Sequence, residues 1–187
     1  SPKPANPNPN FLIRQKDVLF ISFLIFLNFL FLWPFLGKAY HEVSFSGPVI
    51  PLLAKALTIV GLWDFSQAVG FLVVLSFPLL SFSWYFFLRK FTGNWKLSVL
   101  SSLILLLPAF LGQHVDIFWQ AGDGAHSVSL ALLPLVALPF WQFLKTGTFG
   151  AFLLSFLGVA IVALTSPFGL LNLVFFLGFL TVSEMLL

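Results

Sequence analysis

The sequence predicts an all-helical, multi-pass membrane protein of about six transmembrane helices plus one interfacial helix in the first outer loop. Three observations carry that prediction. Of 187 residues, 59% are hydrophobic and only 8% charged, with 26 Phe, whereas a soluble domain carries about 25% charged residues to face water. Mean hydropathy is +1.04. The apolar residues also fall in runs near the length of about 20 that one helical crossing needs. This composition excludes an ordinary cytosolic enzyme, a disordered region and a disulfide-stapled secreted domain. The nine basic residues are scattered, with no run or stripe, so the net charge of +3 does not point to nucleic acid. With no cysteine there is no thiolate chemistry to consider.

The elements follow in order. Residues 1–17 form a Pro- and Asn-rich tail expected to be disordered and cytoplasmic, and residues 18–187 a transmembrane helical domain. The chain does not begin with Met, consistent with trimming of a first residue. The first span, 18–36, is broken only by Ser22 and Asn28. It exceeds the apolar core of about 7–15 residues in a cleaved signal, so it reads as a retained anchor. Pro48 and Pro51 precede an apolar stretch at 52–62, too short to cross, which reads as a helix lying in the interface. The second span is 65–88, closed by Arg89 and Lys90, and the third is a short one at 97–111. The fourth is 128–144, the fifth 149–163 and the sixth 168–187. Pro78, Pro108, Pro134 and Pro139 are kink sites, and Asn28 and Asn172 are expected to bond across to neighbouring helices. Thr165-Ser166-Pro167 fits a tight outer turn, and Glu184 an interfacial place at the inner boundary. No polar tail follows Met185-Leu186-Leu187, so the natural protein is expected to continue beyond it.

Orientation follows from the basic residues. With the N-terminus in the cytoplasm, the inner side holds Lys3, Arg14, Lys16, Arg89, Lys90, Lys96 and Lys145, and the outer side Lys38 and Lys55. Seven against two satisfies the positive-inside rule, and all six Trp fall near span ends, where an aromatic belt sits. The expected location is therefore the cell membrane, multi-pass.

The remaining polar groups then collect outside. His41, His114 and His126 fall in outer loops, as do Glu42, Asp64, Asp116 and Asp123, leaving Asp17 and Glu184 inside. Expulsion of charge from the spans accounts for acidic outer loops without any function, but it does not account for the histidines. In the first loop, Tyr40-His41-Glu42 sets a carboxylate beside an imidazole, a general base or metal ligand in chemical type. Adjacent residues of a helix point in different directions, so His41 and Glu42 are not expected to share one ion. In the second loop, His114 and Asp116 share a face if extended, and Asp123 and His126 if helical. Such pairs suit a divalent cation with mixed N and O ligands. Asp123, between two glycines and before an apolar run, equally suits the N-cap of the fourth span, with Ser127 as a competing cap. The glycines there leave backbone amides open for a phosphate or carboxylate.

The acid-bearing loop after the first span, together with Gly122-Asp123-Gly124-Ala125-His126-Ser127 and Leu164-Thr165-Ser166-Pro167-Phe168, resembles the N-terminal half of the polytopic glycosyltransferases of the GT-C superfamily. The nearest likeness is to bacterial membrane proteins labelled as related to 6-pyruvoyl-tetrahydropterin synthase. The resemblance implies transfer of sugar from a polyprenyl-phosphate donor on the outer membrane face. It implies Glu42 as the catalytic base with Asp123 beside it, and His41, His126 and Asp116 around the substrate. Asp116, Asp123 and His126 would then hold a divalent cation, Mg or Mn. Neither outer loop contains Asp-x-Asp, and the large later loops of the family are not in this sequence. The implied partners are membrane lipid, the lipid-linked donor and a C-terminal remainder of the same protein. Two other classes fit the same topology. One is a non-catalytic sensor or anchor module of a larger protein. The other is a transporter fragment, disfavoured because no charged residue sits mid-span.

Overall fold

The computed structural model describes residues 15–35, 46–61, 63–110 and 124–186, with the backbone alone at residue 31 and residues 106–110. Seven α-helices make up the described residues: α1 (Gln15–Leu32), α2 (Val49–Ile59), α3 (Phe65–Thr92), α4 (Trp95–Phe110), α5 (Gly124–Thr146), α6 (Phe149–Thr165) and α7 (Pro167–Leu186). A 3₁₀ turn, Trp33–Phe35, follows α1, and no strand occurs among the described residues.

Local chemistry sets the helix ends. Asp64 is the N-cap of α3, its carboxylate accepting from the Gln67 amide at 2.8 Å while the Gln67 side chain accepts from the Asp64 amide. This reciprocal capping box satisfies two amides that the first turn leaves without partners. At the other end the chain reverses at Gly93, whose φ of 67° lies in the left-handed region that favours glycine. Arg89 and Lys90 occupy the last turn of α3, where the helix dipole favours cations. Asn94 starts α4 by accepting from the amides of Lys96 and Leu97. The helix continues through Pro78 in α3 and through Pro134 and Pro139 in α5.

α3 and α5 form the most extensive pairing and the centre of the bundle. α1 and α4 pack on α3, α6 and α7 pack on α5, and α2 lies against the start of α3 and touches α6. α2 buries Ile50 and Ala54 against Ala68, Val69 and Val73 of α3 and Ala125 of α5, while Leu52 and Leu53 stay exposed. At 11 residues it is about 16 Å long, roughly half of a bilayer core.

The packing combines an apolar core, with Leu24, Ile50, Leu173 and Leu180 buried, with small residues at helix contacts and much large apolar surface outside. Small residues face inward: Ser76, Ser98, Ser102 and Ser129 are buried, and each hydroxyl donates to a carbonyl of its own helix, so no donor is stranded. Gly158 and Gly169 let α6 and α7 approach Val136 and Ser129 of α5 within a Cβ radius. Large apolar side chains face outward, with Phe26, Phe156, Phe175 and Phe179 each more than three-fifths exposed. So much exposed apolar surface needs an apolar neighbour. Three helices, α3, α5 and α7, are long and apolar enough to cross a membrane. Together these features describe an all-helical protein suited to a membrane.

Several expectations need adjusting. α1, α6 and α4 have 18, 17 and 16 residues, or about 27, 26 and 24 Å, against about 30 Å for a bilayer core. The short apolar helix expected at 52–62 runs Val49–Ile59, with Pro48 as its N-cap and Pro51 in its first turn, where a missing amide costs no helix hydrogen bond. Asn28 does not reach across to a neighbour: its amide donates to Leu24 of its own helix, 2.8 Å away. Asn172 is exposed, on the outer side of α7. Asn172 faces away from the bundle because hydropathy gives the depth of a residue but not its azimuth on the helix, whereas Asn28 does face inward and bonds along its own helix, to the carbonyl one turn back.

Candidate functional site

Two polar ends result from this packing. At the first, Asp17 lies in the first turn of α1 and is buried. Tyr85 and Arg89 are one turn apart on α3 and therefore share a face. The Tyr85 hydroxyl donates to Asp17 Oδ1, and Arg89 Nε donates to the same oxygen at 3.1 Å. Arg89 Nη1 also donates to the Gly93 carbonyl at 2.8 Å, so the guanidinium ties α1 to the α3–α4 turn. The Phe20 ring packs 5.1 Å from Tyr85 and 6.4 Å from Trp95, excluding water from the apolar side of the cluster. On the other side is a pocket of about 390 Å³ lined by Lys16, Asp17, Arg89, Asn94, Trp95 and Lys96.

A second cluster lies where α5 and α7 end. Trp141 Nε1 donates to Glu184 Oε1, and Lys145 Nζ is 3.6 Å from the same oxygen. The Lys145 ammonium also sits 4.4 Å from the centroid of the Trp141 ring. Trp141 in turn contacts Phe91 of α3 at 5.4 Å. Asp17 and Glu184 thus have the same arrangement: each carboxylate takes one cation and one aromatic donor. Glu184 lies in the last turn of α7, paired and partly open.

The opposite end brings together three segments distant in sequence. Ser46 Oγ donates to the Thr165 carbonyl at 3.4 Å. A Cβ on Gly47 would lie 1.9 Å from the Leu164 carbonyl oxygen, so only glycine allows this approach. His126, half-buried in the first turn of α5, meets the Phe168 ring edge-on, with centroids 6.4 Å apart. Ser166 is buried and accepts from the Gly169 amide, starting α7 directly after α6. The tight turn expected at 165–167 is therefore present. α5 begins at Gly124, which puts Ser127 inside its first turn and removes Ser127 as the N-cap.

Of the residues expected at a reaction centre, His126 lies among the described residues and contacts Phe168. His41, Glu42, Asp116 and Asp123 lie outside the described residues, as does His114. Among the described residues no group of three His, Cys, Asp or Glu could hold a metal ion. The Asp17–Tyr85–Arg89 cluster was not foreseen from sequence. Its signal was available: the predicted topology puts Asp17 and Arg89 at the same boundary, and Tyr85 is four residues before Arg89.

Compared with family models, curated proteins and solved structures, the chain finds no match.

Proposed function

We propose that this chain is the membrane-embedded part of a GT-C-like glycosyltransferase, crossing the cell membrane six times with its N-terminus in the cytoplasm. The clustering of Lys16, Arg89, Lys90, Lys96 and Lys145 at helix ends on one side of the bundle supports that orientation through the positive-inside rule. Lys55, on α2, is the one described base at the other end. α1, α4 and α6 would complete the six crossings, shorter than the rest and accommodated by local thinning of the bilayer.

The observation that carries the catalytic reading is the convergence of Ser46–Gly47, His126 and Leu164–Phe168 at the end opposite the basic one. Ser46 follows Glu42 by four residues, and Gly124 directly follows Asp123. Both acids singled out from sequence therefore flank segments that the fold gathers. In this reading Glu42 takes a proton from the acceptor hydroxyl. The hydroxyl oxygen forms its bond to the anomeric carbon as the bond to the polyprenyl-phosphate oxygen breaks. Asp116, Asp123 and His126 are the residues that would hold a divalent cation, which would offset charge on the phosphate.

The test is sugar transfer from a polyprenyl-phosphate sugar by the full-length protein in membranes. Glu42→Gln should lower the rate by about 10²-fold or more, the usual contribution of a general base. Transfer at the unsubstituted rate would overturn the assignment. A full-length protein that transfers no sugar would favour the sensor or anchor module instead.

A further inference from the structure

We infer that the pocket at the basic end binds the phosphate group of an anionic ligand, between the start of α1, the end of α3 and the start of α4. This site is at the end opposite the proposed reaction centre and does not rest on that proposal. Its walls carry three cations, Lys16, Arg89 and Lys96, against one anion, Asp17, for a net charge of +2. The volume of about 390 Å³ exceeds what one phosphate fills and leaves room for an attached glycerol or sugar.

The walls are held before any ligand arrives. Asp17 takes hydrogen bonds from Tyr85 and Arg89, and Arg89 is fixed again by Gly93. The α3–α4 turn is locked by the Asn94 amide donating to Thr92 Oγ1 and by Asn94 Oδ1 capping α4. The positive end of the α4 dipole faces the same region. Lys16 and Lys96 are exposed and make no ion pair among the described residues. Their charges are therefore unspent, unlike that of Lys145, which Glu184 neutralises. Trp95, half-buried in the pocket wall, adds an indole of the kind that sits at headgroup depth. Basic pockets between helices at a membrane surface attract anionic headgroups.

The experiment uses the full chain in neutral detergent, titrated with short-chain phosphatidylglycerol and, separately, phosphatidylcholine, and read by native mass spectrometry. Phosphatidylglycerol should bind in preference to phosphatidylcholine. Lys16→Gln with Lys96→Gln should weaken that binding about tenfold, with an unchanged melting temperature confirming the fold. Lys55→Gln with Lys90→Gln removes the same charge outside the pocket and should leave binding unaltered. Competition by millimolar inorganic phosphate would identify free phosphate as the ligand form, and its absence a lipid headgroup. Equal affinity for the two lipids, or equal losses in the two double variants, would overturn the inference.

Discussion

Asp17→Ala should detach the start of α1 from the bundle. In the folded protein Asp17 Oδ1 accepts from both Tyr85 and Arg89, and its removal strands both donors. Breaking a fully buried ion pair costs about 3–5 kcal/mol. Here the side chains are 18% and 10% exposed, and the adjoining pocket lets water reach the guanidinium, so about 2–3 kcal/mol is expected. Asp17→Asn keeps an acceptor for Tyr85 and should cost less, about 1–2 kcal/mol. Tyr85→Phe removes one donor and leaves the ion pair, for about 1 kcal/mol. Because both contacts end on one oxygen, Asp17→Ala and Tyr85→Phe together should cost about 1 kcal/mol less than the sum of the two. Reversible unfolding in mixed micelles, followed by tryptophan fluorescence, measures each value. An Asp17→Ala protein within about 0.5 kcal/mol of the parent, or strict additivity in the double variant, would refute the argument.

Other consequences follow from the same contacts. A Cβ on Gly169 would lie 2.3 Å from Ser129 Oγ and 2.4 Å from Ser129 Cβ, so Gly169→Ala should destabilise by about 1–3 kcal/mol. Ser129→Gly should restore part of that loss, and denaturant midpoints of the three variants decide it. Glu184→Gln, by contrast, should cost under about 1 kcal/mol, because Lys145 is half-exposed and the amide still accepts from Trp141. The same unfolding assay should rank it well below Asp17→Ala.

Much of the fold was legible in the linear order of residues. Apolar runs located the helices to within a few positions, and Gly93 and Asp64 sit at boundaries that their chemistry favours. The start of α2 was set by Pro48 and Pro51, while the small shift at α4, Trp95–Phe110 against 97–111, is the usual ambiguity of where a helix frays. The site was less legible. His and acidic residues are rare in this chain and mostly fall in the expected outer loops, which makes those loops stand out in the sequence. Asp17 and Glu184, the two acids set aside, proved to organise the polar contacts of the basic end. Asn28 shows the same limit from the other direction, its amide group donating within its own helix where a partner helix was expected.

Composition and the placement of nine bases along the chain were enough to establish a helical protein suited to lipid, with its positive charge at alternate helix ends. Those properties depend on transfer of residues between water and an apolar phase, which is nearly additive along the sequence. Which side chains meet is different in kind. Asp17 and Arg89 are separated by 72 residues, and Trp141 and Glu184 by 43. Their contacts depend on how the helices are rotated and paired, and close packing through Gly158, Gly169 and the buried serines sets that rotation. The paired acids and the basic pocket therefore exist only once the bundle has assembled.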